Sequence, residues 1–118
     1  MVVMTKLTKK QRNQVAEFIR LAYERELSEA LAALETSFQR WRAGEISAAD
    51  LDNLIHEHHQ GPSRKIWKVY SSTSDWEIAL PGALHRGYLK VEDFPDEFWQ
   101  ALGPRIEEIR EGLFELDT

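Results

Sequence analysis

Apolar positions recur with a helical period from the start of the chain. Val15, Phe18, Ile19 and Ala22 fall on one side of a helix, and Leu27, Ala30, Leu31, Leu34, Phe38 and Trp41 fall on another. The two stripes are displaced by roughly 100° at about 3.6 residues per turn. Thr8 stands three residues before Gln11, the spacing of a capping box. Neither Gly nor Pro occurs from Lys9 to Ala43, and Gly44 follows as a C-terminal stop. The pattern predicts one helix over about residues 9–43, roughly 50 Å long. A compact domain of 118 residues has a radius of gyration near ~13 Å, so such a helix outruns it. The stripe changes face between Tyr23 and Leu27, where no Pro or Gly supports a kink. The expectation is a continuous helix whose two halves meet different partners, one of them a second copy of the chain.

Shorter helical patterns fill the remainder. Ser47 and Asp50 cap a second helix whose Leu51, Leu54 and Ile55 share a face, and Gly61-Pro62 is expected to end it. The stretch "SRKIWKVYSS" predicts a third helix with Ile66, Trp67 and Tyr70 on one face. A fourth begins at a Ser74 cap and ends at Gly87, with a kink or two short helices expected around Pro81-Gly82. A fifth starts near Asp93 and Pro95, and Gly103-Pro104 separates it from a sixth. No alternating run is long enough for a sheet. The fold class is all-α: one long N-terminal helix followed by four or five shorter helices in a compact helical bundle, as a single domain over residues 1–118. Residues 1–7 read as a frayed end or a docking segment. Trp41, Trp67, Trp76 and Trp99 occur once in each of four segments, which suits a shared core.

Composition adds limits. The chain is 42% hydrophobic and 30% charged, with 12 aromatic residues (Trp 4, Tyr 3, Phe 5), which supports a folded core. It has no cysteine, so disulfides, thiolate catalysis and thiolate metal centres are excluded. That composition fits a reducing, cytoplasmic setting. The N-terminus lacks the apolar run of a signal peptide, and no window approaches about 18 apolar residues. The net charge is −5, unevenly spread. Residues 1–55 carry eight cationic and eight anionic side chains, residues 56–74 three and one, and residues 75–118 four and eleven. An acidic chain argues against nucleic acid as a main partner. Only the segment "IHEHHQGPSRKIWKVY" offers local positive charge.

That segment holds the first candidate chemistry. Asp52, His56 and His59 fall on a neighbouring face of the second helix and could ligate a divalent metal, an imidazole–carboxylate donor set. The H-E-x-x-H signature fails by one residue, because Gln60 stands where its second His belongs. His58 points with the leucines and reads as a partly buried structural residue. Beside them, Ser63, Arg64 and Lys65 open the third helix. A Ser63 cap would leave amide groups at the positive end of the helix dipole, with two cations in the first turn, a pattern suited to an anion. The alternative is an ion pair between these cations and the acidic C-terminal third.

Two further patterns bear on function. Glu26 and Glu29 form E-x-x-E, and Asp50 with Asn53 follows one helix later. The spacing resembles the all-α nucleotide pyrophosphohydrolases of the MazG type, and the resemblance implies Mg²⁺ held between two acidic pairs. Asn53 stands where the second pair needs its second acid. Phe94, Phe98, Trp99 and Leu102 make an aromatic edge that either docks a partner or turns into the core. The resulting expectation is a small soluble interaction or regulatory protein that dimerises through its long N-terminal helix, without a resident cofactor. The alternative is a phosphate-ester or nucleotide-binding protein or hydrolase, metal-dependent or not, with its site at the His56–Lys65 corner.

Overall fold

The computed structural model describes residues 6–71 and 75–116. The chain is all-α, and no strand occurs among the described residues. The long helix α1 spans Lys9–Arg42 without interruption. Its start is the expected capping box: the Gln11 amide donates to the Thr8 hydroxyl oxygen (3.1 Å), and the Thr8 amide donates to the Gln11 side-chain carbonyl (2.9 Å). At its end Gly44 takes φ +76°, and the Glu45 N–H donates back to the Arg40 carbonyl (2.9 Å). This is a Schellman stop, which needs a left-handed residue that glycine supplies without strain. Then come α2 (Ala48–His58), a π-helical turn (His59–Ser63), α3 (Arg64–Ser71), α4 (Trp76–Arg86), a 3₁₀ turn (Val91–Asp93) and α5 (Asp96–Leu116). No described helix is long and apolar enough to cross a membrane.

These elements group into two compact units, one within Met1–Ala22 and Thr73–Thr118 and the other over Tyr23–Ser72. The division falls where the apolar stripe of α1 changes face. In the first unit Val15, Phe18 and Ala22 of α1 are buried. Phe18 meets Phe94 at 4.5 Å and Phe98 at 5.2 Å between ring centroids, and Phe94 stacks on Phe98 at 5.5 Å. The aromatic edge therefore turns inward. Leu80 and Pro81 of α4, Leu89, and Ile106 of α5 are fully buried around it. Each aliphatic side chain of this kind contributes about 1.5–3 kcal/mol by leaving water.

The break expected at Gly103-Pro104 is absent, because both residues lie inside α5; Pro81-Gly82, where a kink or two short helices were expected, lies inside the single helix α4. Proline normally drives the residue before it out of the helical region, because its Cδ crowds that residue's Cβ. Gly103 has no Cβ, and the Trp99 ring packs into the vacated space: a Cβ there would lie 2.6 Å from two ring carbons. Asp75 caps α4 through the Glu77 amide (2.9 Å); the expected cap, Ser74, lies outside the described residues, as do residues 1–5. The tryptophans do not share a core. Trp76 is buried and Trp99 half-buried, whereas Trp41 and Trp67 are exposed.

The second unit is an antiparallel helical hairpin. The second half of α1 runs against α2, the π turn and α3. Leu54 and His58 sit beside Ala30, Ala33 and Leu34. Further along, the Tyr70 hydroxyl donates to the Glu26 carboxylate (2.7 Å), and the Tyr70 and Tyr23 rings meet edge to face at 5.7 Å. Among the described residues of this unit only Leu51, Ile66 and Tyr70 are buried.

The π turn keeps that arm in register. Gly61-Pro62 was expected to end the second helix, yet the chain passes through Pro62 into α3. On an unbroken α-helix Ile66 and Tyr70 would sit roughly 100° away from Leu51, Leu54 and His58. A π turn accommodates one extra residue, which cancels that offset and brings both sets onto α1. Trp67, expected beside Ile66 and Tyr70, is then turned aside and is 56% exposed.

Candidate functional site

The candidate site lies where the π turn and α3 meet α1 within the hairpin unit. A cavity of about 410 Å³ opens there, lined by Tyr23 of α1, His59, Gln60 and Ser63 of the π turn, and Arg64 and Trp67 of α3. Among the described residues, no carboxylate lines it. Tyr23 is held by its edge-to-face contact with Tyr70, which is itself anchored on Glu26. The π turn widens the helix locally, and such turns recur at functional sites for that reason. Arg64 is exposed and has no ion-pair partner among the described residues, and the same is true of Lys65.

The anion site expected from Ser63, Arg64 and Lys65 differs in its parts. Ser63 and Arg64 line the cavity; Lys65 does not. Ser63 does not cap a fresh helix, because α2, the π turn and α3 are continuous. The Arg64 amide already donates to the Gly61 carbonyl. An anion held here would be attracted by side chains, the Arg64 guanidinium first, rather than by free helix-terminal amides.

The expected metal trio is not assembled. Asp52, His56 and His59 are all exposed, and no group of three or more His, Asp or Glu side chains able to hold a metal ion occurs among the described residues. His59 keeps α-helical backbone angles (φ −65°, ψ −43°) and its N–H still donates to the Ile55 carbonyl, so it follows His56 in helical register. It also lines the cavity. His58 is half-buried against α1, beside Ala30 and Ala33.

The acidic pairs have structural duties. Glu26 accepts the Tyr70 hydroxyl. Asp50 completes the capping box of α2: its carboxylate accepts from the Ser47 amide and its own amide donates to the Ser47 hydroxyl, both at 3.0 Å. The hydrogen bond from the Ser47 backbone, then that from the Ser47 side chain, holds the Asp50 carboxyl below its ordinary value. Neither arrangement leaves two facing acid pairs.

Tyr23, Gln60 and Trp67 are site residues that the pattern of the chain did not reveal. Tyr23 joins from a helix about 36 residues away, which no local spacing reports. Trp67 was expected on the face of Ile66 and Tyr70, and its exposure follows from the π turn. No protein-family model, curated protein or solved structure matches the chain.

Proposed function

We propose that the protein is a small helical interaction protein that acts as a homodimer, pairing through the second half of its long helix and engaging or regulating a protein partner. The observation that carries this reading is an exposed apolar face on a thin hairpin. Leu31 (47% exposed), Phe38 (37%) and Trp41 (40%) of α1 lie open, and Ile55 (37%) of α2 joins them. Leu27, Leu31, Leu34, Phe38 and Trp41 follow one another in steps of four and three, the spacing of a coiled-coil seam. The helices run antiparallel, so the helical wheel brings Ile55 to the same edge of the hairpin as Leu31 and Phe38.

Two such hairpins stacked on that edge make a four-helix bundle, an architecture that covers the seam on both copies. The areas are of the right order. Large side chains of this kind present about 200 Å² each. Four of them at the exposures above offer roughly 300 Å² of apolar surface, and Leu27 and Leu34 add to it. A standard interface has about 800 Å² per partner, a little over half of it apolar. The cysteine-free sequence supports a cytoplasmic setting for the dimer.

Sedimentation equilibrium tests the reading. The expected mass is twice 13.7 kDa at micromolar concentration, returning to a single chain in the double variant Leu31→Glu/Phe38→Glu with helicity retained. A strict monomer at every dilution defeats the proposal.

A further inference from the structure

The cavity at the π turn has a chemistry that self-association does not use. We infer that it binds a nucleoside monophosphate, or a ligand of the same chemistry: one planar aromatic ring carrying one phosphate. Three observations converge on that class.

The first is the pairing of a cation with an open aromatic face. The Arg64 guanidinium has no described carboxylate to neutralise it, and Trp67, one turn of chain away, is 56% exposed. A planar fork of N–H donors matches phosphate oxygens two at a time. An exposed indole is a stacking platform for a nucleobase, since every base has a π face. The second is the company these two keep. Ser63, Gln60 and His59 add hydroxyl, amide and imidazole groups able to donate to phosphate, and Tyr23 closes the aromatic side. Among the described residues no acid lines the space to repel an anion, and residues 56–74 carry three cations against one anion. The third is size. A cavity of about 410 Å³ lies in the range for a small organic ligand and is larger than a free phosphate requires.

The arrangement divides the work. Arg64, with Ser63 and Gln60, holds the phosphate, and Trp67 holds the ring. Neither half alone gives much affinity, because an exposed ion pair is screened and an exposed stacking contact is weak. Joined in one ligand the two contacts reinforce each other, because the second forms without a second loss of translational freedom. The site uses neither Leu31, Phe38 nor Trp41, so it stands or falls apart from the dimer.

Isothermal titration with adenosine 5′-monophosphate tests the inference, with adenosine and inorganic phosphate as separate arms. The expected result is saturable binding of the monophosphate, with each half-ligand at least about tenfold weaker. Arg64→Ala and Trp67→Ala are each expected to weaken binding by about tenfold or more, while Lys90→Ala leaves it unchanged. Arg64 and Trp67 are exposed, so the variants should keep their helicity, which circular dichroism checks. Three outcomes overturn the inference: no saturable binding up to millimolar monophosphate, binding that survives both substitutions, or inorganic phosphate binding as tightly as the nucleotide. Binding of adenosine alone at full strength likewise removes the phosphate from the assignment.

Discussion

Deleting one residue from the middle of a helix normally rotates everything beyond it by roughly 100° and strips the buried face. Pro62 should be an exception. The π turn His59–Ser63 already holds one residue more than an α-helix would, and that surplus brings Ile66 and Tyr70 onto α1 alongside Leu51 and Leu54. Removal of Pro62 lets the turn close to ordinary α-helix with the facing residues unchanged. It also removes a residue without an N–H from a helical interior, a defect worth up to about 3 kcal/mol where nothing accommodates it. The single deletion is expected to be neutral or to stabilise by about 1 kcal/mol. Removing Gly61 and Pro62 together exhausts the slack. Ile66 and Tyr70 then swing off α1, each giving up about 1.5–3 kcal/mol of burial. Tyr70 also loses its hydrogen bond to the Glu26 carboxylate, worth about 1.5 kcal/mol. The double deletion should therefore cost about 5 kcal/mol relative to the single one. Urea unfolding followed by helical circular dichroism measures both, and amide exchange over Arg64–Ser71 localises the loss. A single deletion as damaging as the double would refute the register argument.

Other expectations follow from the same structure. Phe18→Ala should destabilise by about 3–5 kcal/mol, because the ring sits among Phe94 and Phe98; Phe38→Ala on the same helix should cost under about 1 kcal/mol in the monomer and instead weaken self-association. Chemical denaturation below and above the dimerisation range separates the two. Gly103→Ala should destabilise although alanine is the better helix former by about 1 kcal/mol, since its Cβ meets the Trp99 ring at 2.6 Å and overpacking costs about 1–3 kcal/mol; a raised melting temperature would count against this packing. Acid should fray the start of α2. The Asp50 carboxyl is held below its ordinary 3.8 by Ser47, so its contribution is complete above that value and disappears as pH falls through the lower, folded one. Amide exchange at Asp50 and Leu51 in acid should rise in the parent chain, and Asp50→Asn should remove that pH dependence.

How far the site could be read from the chain depended on the range of the interactions. The capping pair Thr8–Gln11, the Ser47–Asp50 box and the Gly44 stop were legible, because each is a bond between residues a few positions apart. The corner carrying Ser63 and Arg64 was legible as a concentration of charge and hydroxyl. Its geometry was not. Gly61-Pro62 and Gly103-Pro104 carry strong local stop signals, and both lie within continuous helical segments. In α5 the Trp99 ring fills the space beside Gly103, and in the hairpin the π turn serves the packing of Ile66 and Tyr70.

By itself the sequence determined the helical class, the length of α1 and the point where its apolar face turns, since these rest on periodicity and on backbone bonds within one segment. Tertiary structure alone decided that the turn in that stripe separates two compact units, that the aromatic edge at Phe94 and Phe98 faces inward, and that His59 joins Tyr23, Arg64 and Trp67 around one cavity. The physical reason is common to all three. Local patterns specify which residues seek burial, but the partner that buries them comes from a distant segment. Small adjustments such as one π turn then decide which side chains are left facing outward.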